Sequence, residues 1–338
     1  MIEVQDLTKR YGQVEAVKGV SFTVGKDQVL GFLGPNGAGK TTIMKILTGY
    51  HFPSEGKALV DGISVQDDPV EVKKRTGYLS ELVPLYGDLT VSEYLRFITR
   101  SRLMPAGEAK RAIEHSITVC GLAQAGSRRI ETLSKGYRQR VGLAQAIVHD
   151  PPILILDEPT TGLDPNQIIE IRNLIKDLGK RKTVILSTHI LQEVEAVCSQ
   201  VLIIHEGRIA AQGSPEEIAG TMKGGNTWEL ILKGAGPVEI REKFASFLFF
   251  SAMSGFSAEE LADGTVRASF FLGGEDAGES VFDWAISEHL KILMMNRKKL
   301  SLEDIFVKLT GDQEPLTGDQ EPLTGDQEPL TGDEGRQS

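Results

Sequence analysis

Polar and apolar residues alternate near the start of the chain. Ile2-Glu3-Val4-Gln5, Val20-Ser21-Phe22-Thr23-Val24 and the stretch Ala58 to Val65 all show it. A two-residue period predicts strands, and Asp61-Gly62 inside the last stretch supplies a hairpin turn, so these strands are expected to run antiparallel. Val29 to Leu33 reads as a short apolar strand that ends in a glycine-rich loop. Thr41 to Leu47 follows as a helix, stopped by Gly49.

From Thr90 the period lengthens to that of helices. Thr90 and Glu93 form a capping-box pattern, with Val91, Leu95 and Ile98 on one face. Ala109, Ile113 and Ile117 make a second stripe, stopped by Gly121, and Tyr137 to Val148 a third helix, halted before Pro151-Pro152. Strands return at Ile153–Leu156, Thr183–Leu186 and Val201–Ile204, separated by helices at Pro165–Leu178 and Leu191–Val197. Asp164 is the expected N-cap of the first of these, with Pro165 at its first position. Alternating strands and helices predict a mostly parallel sheet with helices on its faces. The fold class is therefore α/β over residues 1–222, with an antiparallel β subdomain and a helical subdomain of about 88–148 inserted in the core.

A linker is expected at Lys223-Gly224-Gly225-Asn226. Beyond it, Trp228, Leu230 and Leu232 alternate with polar residues, as do Val266, Ala268, Phe270 and Leu272. Helical segments at 237–247 and 276–289 complete a βαββαβ order, the pattern of a small α+β, ferredoxin-like domain over 226–309. Ser301 to Leu309 reads as a capped terminal helix. The heptapeptide LTGDQEP then repeats three times from Leu309 to Pro329. Each unit holds Gly and Pro, which rules out a coiled coil, and the acidic composition of 310–338 predicts disorder.

Composition narrows the classes. Charged residues make up 25% and apolar ones 40%, as in globular proteins. Cys120 and Cys198 stand far apart without a CxxC pair, so neither a disulfide framework nor a zinc site is expected. The N-terminus lacks a signal-peptide core. The most apolar run, Phe244 to Met253, is half of what a membrane span needs, and is expected in the core of the small domain. The net charge of −10 argues against nucleic acid as the main partner.

The chemistry centres on GPNGAGKT, Gly34 to Thr41, which fits the phosphate-loop pattern at every position. Gly34, Pro35, Asn36, Gly37, Ala38 and Gly39 bring backbone N–H groups around a phosphate. Lys40 supplies a cation to it, Thr41 a hydroxyl for Mg2+, and Thr42 continues the helix whose N-terminus faces the anion. The strand ILILD ends in Asp157 and Glu158. In a phosphate-loop protein Asp157 is placed to hold Mg2+ and Glu158 to polarise the attacking water. His189 follows the strand TVILST and reaches toward the γ-phosphate from the same sheet edge. Tyr11 offers a ring for an adenine. ATP and Mg2+ are the expected ligands.

Residues 1 to about 220 resemble the nucleotide-binding subunit of ABC transporters. The order matches: Tyr11, the loop at 34–41, a loop at Glu81, LSKGY at 133–137, the strand and carboxylates at 153–158, GLDP at 162–165 and His189. In that family two subunits pack head to tail, each ATP lying between the phosphate loop of one and the signature of the other. The resemblance therefore implies that Ser134, Lys135, Gly136 and Tyr137 serve the partner's ATP, through Ser134 and the Gly136 N–H at its γ-phosphate. It also makes Asp164 a dimer-facing loop residue and Glu81 a residue near Mg2+. Two positions depart from the usual pattern. Lys135 and Tyr137 replace a Gly and a Gln of the signature, and Glu81 stands where many relatives have Gln. Both variants recur in the branch that works with ABC-2-type permeases. Within it GYLSELVPLYGDLTVSEYL, LSKGYRQRVGLAQA, TTGLDPNQ, EIRNLIK and KTVILSTHILQEVEA resemble gliding-motility-associated ATP-binding subunits.

The resemblance implies an ATPase on the cytoplasmic face of the plasma membrane. Its partners would be a second copy of itself or a homologous cassette, and a separate ABC-2-type permease. Export is the implied direction, and Val83, Pro84, Leu85 and Tyr86 are the expected permease contacts. The alternative is an ABC ATPase acting as a mechanical or regulatory module. Such proteins commonly fuse two cassettes or carry a long coiled-coil insert, and this chain shows one cassette and no such insert.

Overall fold

The computed structural model describes residues 1–221, 226–245, 253–272 and 277–298, together with Phe306. Positions 223–225 of the expected linker, most of the proposed terminal helix and the repeat tail lie outside these residues.

The chain opens with β1 (Ile2–Tyr11) and β2 (Val14–Val24), then β3 (Val29–Leu33), α1 (Lys40–Leu47), β4 (Glu55–Val60) and β5 (Ile63–Ser64). Strands β2-β1-β4-β5 form an antiparallel sheet, and Asp61 and Gly62, with φ of 53° and 79°, make its tight turn. Helix α2 (Pro69–Arg75) and strand β6 (Thr76–Leu79) come next. The helical subdomain follows as α3 (Val91–Ser101), α4 (Ala106–Val119) and α5 (Lys135–Ile147). Helix α5 begins two residues earlier than its apolar pattern suggests. Ser134 is its N-cap, accepting from the Tyr137 N–H at 3.4 Å, so the signature forms the first turn itself.

The core continues through β7 (Ile153–Asp157), α6 (Pro165–Gly179), β8 (Thr183–Thr188), α7 (Leu191–Val197), β9 (Gln200–His205), β10 (Arg208–Gly213) and α8 (Pro215–Thr221). The central sheet has the order β10-β9-β3-β8-β7-β6; its strands run parallel except for β10. Its strands are apolar on both faces, and the pleat sorts them. Leu30, Phe32, Ile153, Ile155 and Ile185 face the antiparallel sheet and α1, while Leu33, Leu154, Leu156, Val184 and Leu186 face the helices. Cys120 and Cys198 are free and buried, and burial pushes both thiols up to about 12.

The last unit is β11 (Asn226–Lys233), α9 (Pro237–Ala245), β12 (Ser254–Glu260), β13 (Val266–Leu272), α10 (Ala277–Ser287) and β14 (Lys291–Lys298). Its sheet is antiparallel in the order β12-β13-β11-β14, the ferredoxin-like arrangement the βαββαβ order predicts. Trp228, Leu230, Leu232, Val266, Ala268, Phe270 and Leu272 point into one core with Ile240, Phe244, Val281 and Trp284 of the helices. Among the described residues no helix is long and apolar enough to cross a membrane.

Candidate functional site

Strands β3, β7 and β8 end at one edge of the central sheet, and each delivers a reactive segment there. Two glycines of the loop after β3, Gly34 and Gly39, leave no room for a side chain. A Cβ on Gly34 would lie 2.3 Å from the Ile204 carbonyl oxygen, and one on Gly39, at φ +108°, 2.6 Å from that of Ala16. The loop closes with the Ala38 N–H donating to the Pro35 carbonyl at 3.2 Å. Helix α1 then starts with no acidic residue in its first turn and no side-chain cap, which leaves its N-terminal amides for an anion.

Lys40, 6% exposed, donates from Nζ to the carbonyls of Gly34 at 2.7 Å and Pro35 at 3.2 Å, with Glu158 Oε1 at 3.8 Å. Burial pushes its ammonium below the usual range, against the pull of Glu158, Asp157 and Glu81. Thr41 Oγ1 donates to Asp157 Oδ1 at 3.2 Å, and Ser187 Oγ donates to the same oxygen at 2.6 Å. Ser187 Oγ also accepts from the Glu158 N–H at 2.9 Å. Asp157 Oδ2 and Glu158 Oε1 are buried without a hydrogen-bond partner. Glu158 is held at φ 47°, a left-handed conformation uncommon for a non-glycine residue and frequent at functional sites. Its Oε2 accepts from Thr161 Oγ1 at 3.1 Å and lies 2.9 Å from His189 Nδ1. His189 itself is half exposed.

A cavity of about 340 Å³ is lined among others by Asn36 to Thr42, Glu81, Glu158, Thr161 and His189, with Asp157 and Ser187 outside the lining. Gly34 and Pro35 act from behind it through their carbonyls. Tyr11, at the end of β1, stands outside the lining with its ring 43% exposed. It meets His51 edge-on at 5.9 Å, and Lys9 Nζ lies 5.1 Å from its centroid.

The signature does not join this cavity. Gly136 and Tyr137 line a separate depression of about 210 Å³ with Gln167 and Glu170 of α6. Gln167 packs so closely that a Cβ on Gly136 would come within 2.4 Å of its amide. The Lys135 ammonium lies against Gly162, and Asp164 caps α6 by accepting from the Gln167 N–H at 2.9 Å. Sequence reasoning missed Ser187, Thr161 and Gln167. The hydroxyls at 187 and 188, following the apolar run Val184–Leu186, were a usable signal; nothing local marks Gln167.

Residues 17–161 match the family described as ABC transporter. The uncharacterised ABC transporter ATP-binding protein YxlF of Bacillus subtilis is 33% identical over 310 residues, 91% of this chain and 99% of its own. A Nod factor export ATP-binding protein I of Burkholderia orbicola is 31% identical over 92% of this chain and 97% of its own. Among solved structures, the dimeric post-hydrolysis state of the ATP-binding cassette MJ0796, bound to ADP and Pi, superposes with a TM-score of 0.57 at 25% identity. It covers 63% of this chain and 98% of that one. The family match spans the phosphate loop and its facing carboxylates, and the YxlF and Nod factor relatives, covering more than nine-tenths of the chain, extend beyond the nucleotide-binding half. The chain belongs to the ATP-binding proteins of the ABC transporter family and is an ATPase.

Proposed function

We propose that this ATPase powers an ABC-2-type membrane exporter from the cytoplasmic face, by ATP-dependent head-to-tail closure with a second copy or a homologous cassette. The observation that carries the reading is the separation of two half-sites on one chain. The phosphate loop and the signature residues Gly136 and Tyr137 line different depressions, which supports two sites completed between copies, with one copy's loop meeting the other's Ser134 and Gly136. The dimeric MJ0796 cassette and the export relative support it. The nearer resemblance to gliding-motility-associated subunits concerns the cassette and specifies no cargo.

In this reading Lys40 and the amides of the loop hold the β- and γ-phosphates, and Tyr11 stacks on the adenine. Thr41 Oγ1 and the unpartnered Asp157 Oδ2 fit Mg2+, with Glu81 facing the same cavity. The metal supplies charge neutralisation on the phosphates. Glu158 accepts the proton of the attacking water as the water oxygen bonds to the γ-phosphorus and the bond to the bridging oxygen breaks. His189, 2.9 Å from the same carboxylate, orients it. Ser134, Lys135, Gly136 and Tyr137 meet the partner's γ-phosphate, aided by the N-terminal dipole of α5, and Asp164 shapes the loop between the two sites. ATP bridges the halves, and losing the γ-phosphate parts them.

The permease contact falls on the loop after Glu81. Of the expected contacts, Val83 and Leu85 pack partly on the helix-side core, while Pro84 and Tyr86 are exposed, Tyr86 edge-on to the exposed Phe97, with Leu82 87% exposed in the same loop. With Glu158→Gln and Mg-ATP, light scattering should report a dimer, and the same protein should retain a multi-span protein from detergent-solubilised membranes. A monomer at high concentration, or recovery of a homodimer alone, would count against the dimer and the permease respectively.

A further inference from the structure

Behind Glu158 and His189 lies a closed polar cluster centred on Glu193, in the first turn of α7. The residue is 2% exposed, and both carboxylate oxygens are engaged. Oε1 accepts from Thr160 Oγ1 at 2.5 Å, and Arg172 Nη2 of α6 lies 3.7 Å away. Oε2 accepts from Thr188 Oγ1 at 2.7 Å, and that hydroxyl in turn accepts from the Ile190 N–H at 3.0 Å. Burying a carboxylate is costly, and an apolar residue often packs such a position at no loss of stability. Val194, the next residue, is buried in the ordinary way.

What distinguishes position 193 is where its partners sit. Thr160 is two residues beyond Glu158, and Thr188 directly precedes His189. One carboxylate therefore clamps the two loops that create the His189–Glu158 contact. Its third arm, Arg172, belongs to the helix whose first turn is capped by Asp164 and carries Gln167 over Gly136.

We infer that Glu193 is a positioning residue for hydrolysis: it fixes the Glu158 loop and the His189 loop relative to each other, and ties both to the helix behind the signature. The inference rests on the assignment of Glu158 and His189 as the hydrolytic pair. An error of about 1 Å in such a pair can lower turnover roughly a hundredfold while leaving binding intact. Glu193 touches nothing in the cavity, so its loss should appear in kcat and not in KM.

Steady-state ATP hydrolysis by the full chain tests this in Thr160→Val, Thr160→Ser and Glu193→Gln, alongside equilibrium binding of ATP and thermal melting. Thr160→Val keeps the side-chain shape and removes one arm of the clamp, so it serves even where Glu193→Gln fails to fold. The expected result is a kcat lowered about tenfold to a hundredfold in Thr160→Val, with KM and ATP affinity within about twofold, and recovery to near wild type in Thr160→Ser. Unchanged kcat in folded Thr160→Val and Glu193→Gln overturns the inference. So does a parallel loss of kcat, affinity and melting temperature that Ser does not rescue, since that marks a merely structural bond. Glu158→Gln is the control. If it hydrolysed ATP at the wild-type rate, the assignment of the pair would fall, and this inference with it, by a result separate from any Glu193 variant.

Discussion

Single atoms decide much at the residue scale, and the glycines of the phosphate loop show how differently two neighbours can be constrained. Gly37 has φ +81° and nothing within 4 Å of where a Cβ would go; Gly39 has φ +108° and a carbonyl oxygen at 2.6 Å. Gly37→Ala should cost the left-handed backbone penalty alone, about 1–2 kcal/mol. Gly39→Ala adds a clash with backbone and should cost roughly 2 kcal/mol more, with ATP binding lost, both read from denaturation and equilibrium binding. His149 gives a pH signature. Its Nε2 meets the Thr76 carbonyl at 3.1 Å, and its Nδ1 is buried without a partner. Burial first, then Arg102 and Lys182, push the imidazole down to about 4, against the Thr76 carbonyl and Asp150. The folded state thus prefers the neutral ring. Between pH 6.5 and 4 the unfolded chain takes up the proton first, so stability present above 6.5 is lost as pH falls, by up to ~3 kcal/mol. His149→Gln should flatten the melting temperature across that window; an unchanged slope would remove His149 as the cause.

At the scale of elements, caps make the cleanest test because they can be removed without touching the site. Thr90 accepts from the Glu93 N–H while Glu93 accepts from the Thr90 N–H, a complete capping box on α3. Thr90→Ala should cost about 1 kcal/mol in denaturation and leave ATP turnover unchanged. This box, the Asp164 cap and the alternating strands were legible because each is written within a few residues of sequence. The start of α5 was not, since a serine before a helical run can cap the helix or face a ligand, and the pattern of apolar residues begins only at Tyr137. Helices α2 and α8 are too short to show an apolar period, and their signals are caps, Asp68 before Pro69 and Ser214 paired with Glu217; β6, four residues long, depends on its pairing with β7. The site divides the same way. Gly34 to Thr42, Asp157 and Glu158 were readable from local motifs, and His189 from its place in the series of motifs. The Thr41–Asp157 bond spans 116 residues, and the Glu193 clamp joins three elements, so their geometry exists only once the sheet has formed.

At the scale of the whole molecule, the described residues form three cores, two on the faces of the central sheet and one inside the ferredoxin-like unit. No described residue of 226–298 belongs to the first two, so among these residues the nucleotide-binding half buries its own sheet. Phe306 complicates a simple cut. Beyond the ferredoxin-like unit the chain returns to the nucleotide-binding half, and Phe306 packs on its helix-side core, the cluster that contains Ile171, Ile175 and Val194 of α6 and α7. Deletion of 226–338 therefore removes two different things. Loss of the ferredoxin-like core should leave ATP affinity within about twofold, since Lys40 and the phosphate loop draw on other contacts. Loss of the Phe306 ring uncovers apolar surface on the helix-side core, at a cost of about 1–2 kcal/mol. Phe306→Ala in the full chain should reproduce that destabilisation of the nucleotide-binding half, measured by denaturation with ATP-binding as the probe. If the deletion destabilises and Phe306→Ala does not, the ferredoxin-like unit itself supports the ATPase core through contacts other than this ring. If neither does, the two halves are energetically independent, and the unit's contribution must be sought outside the stability of the ATPase core.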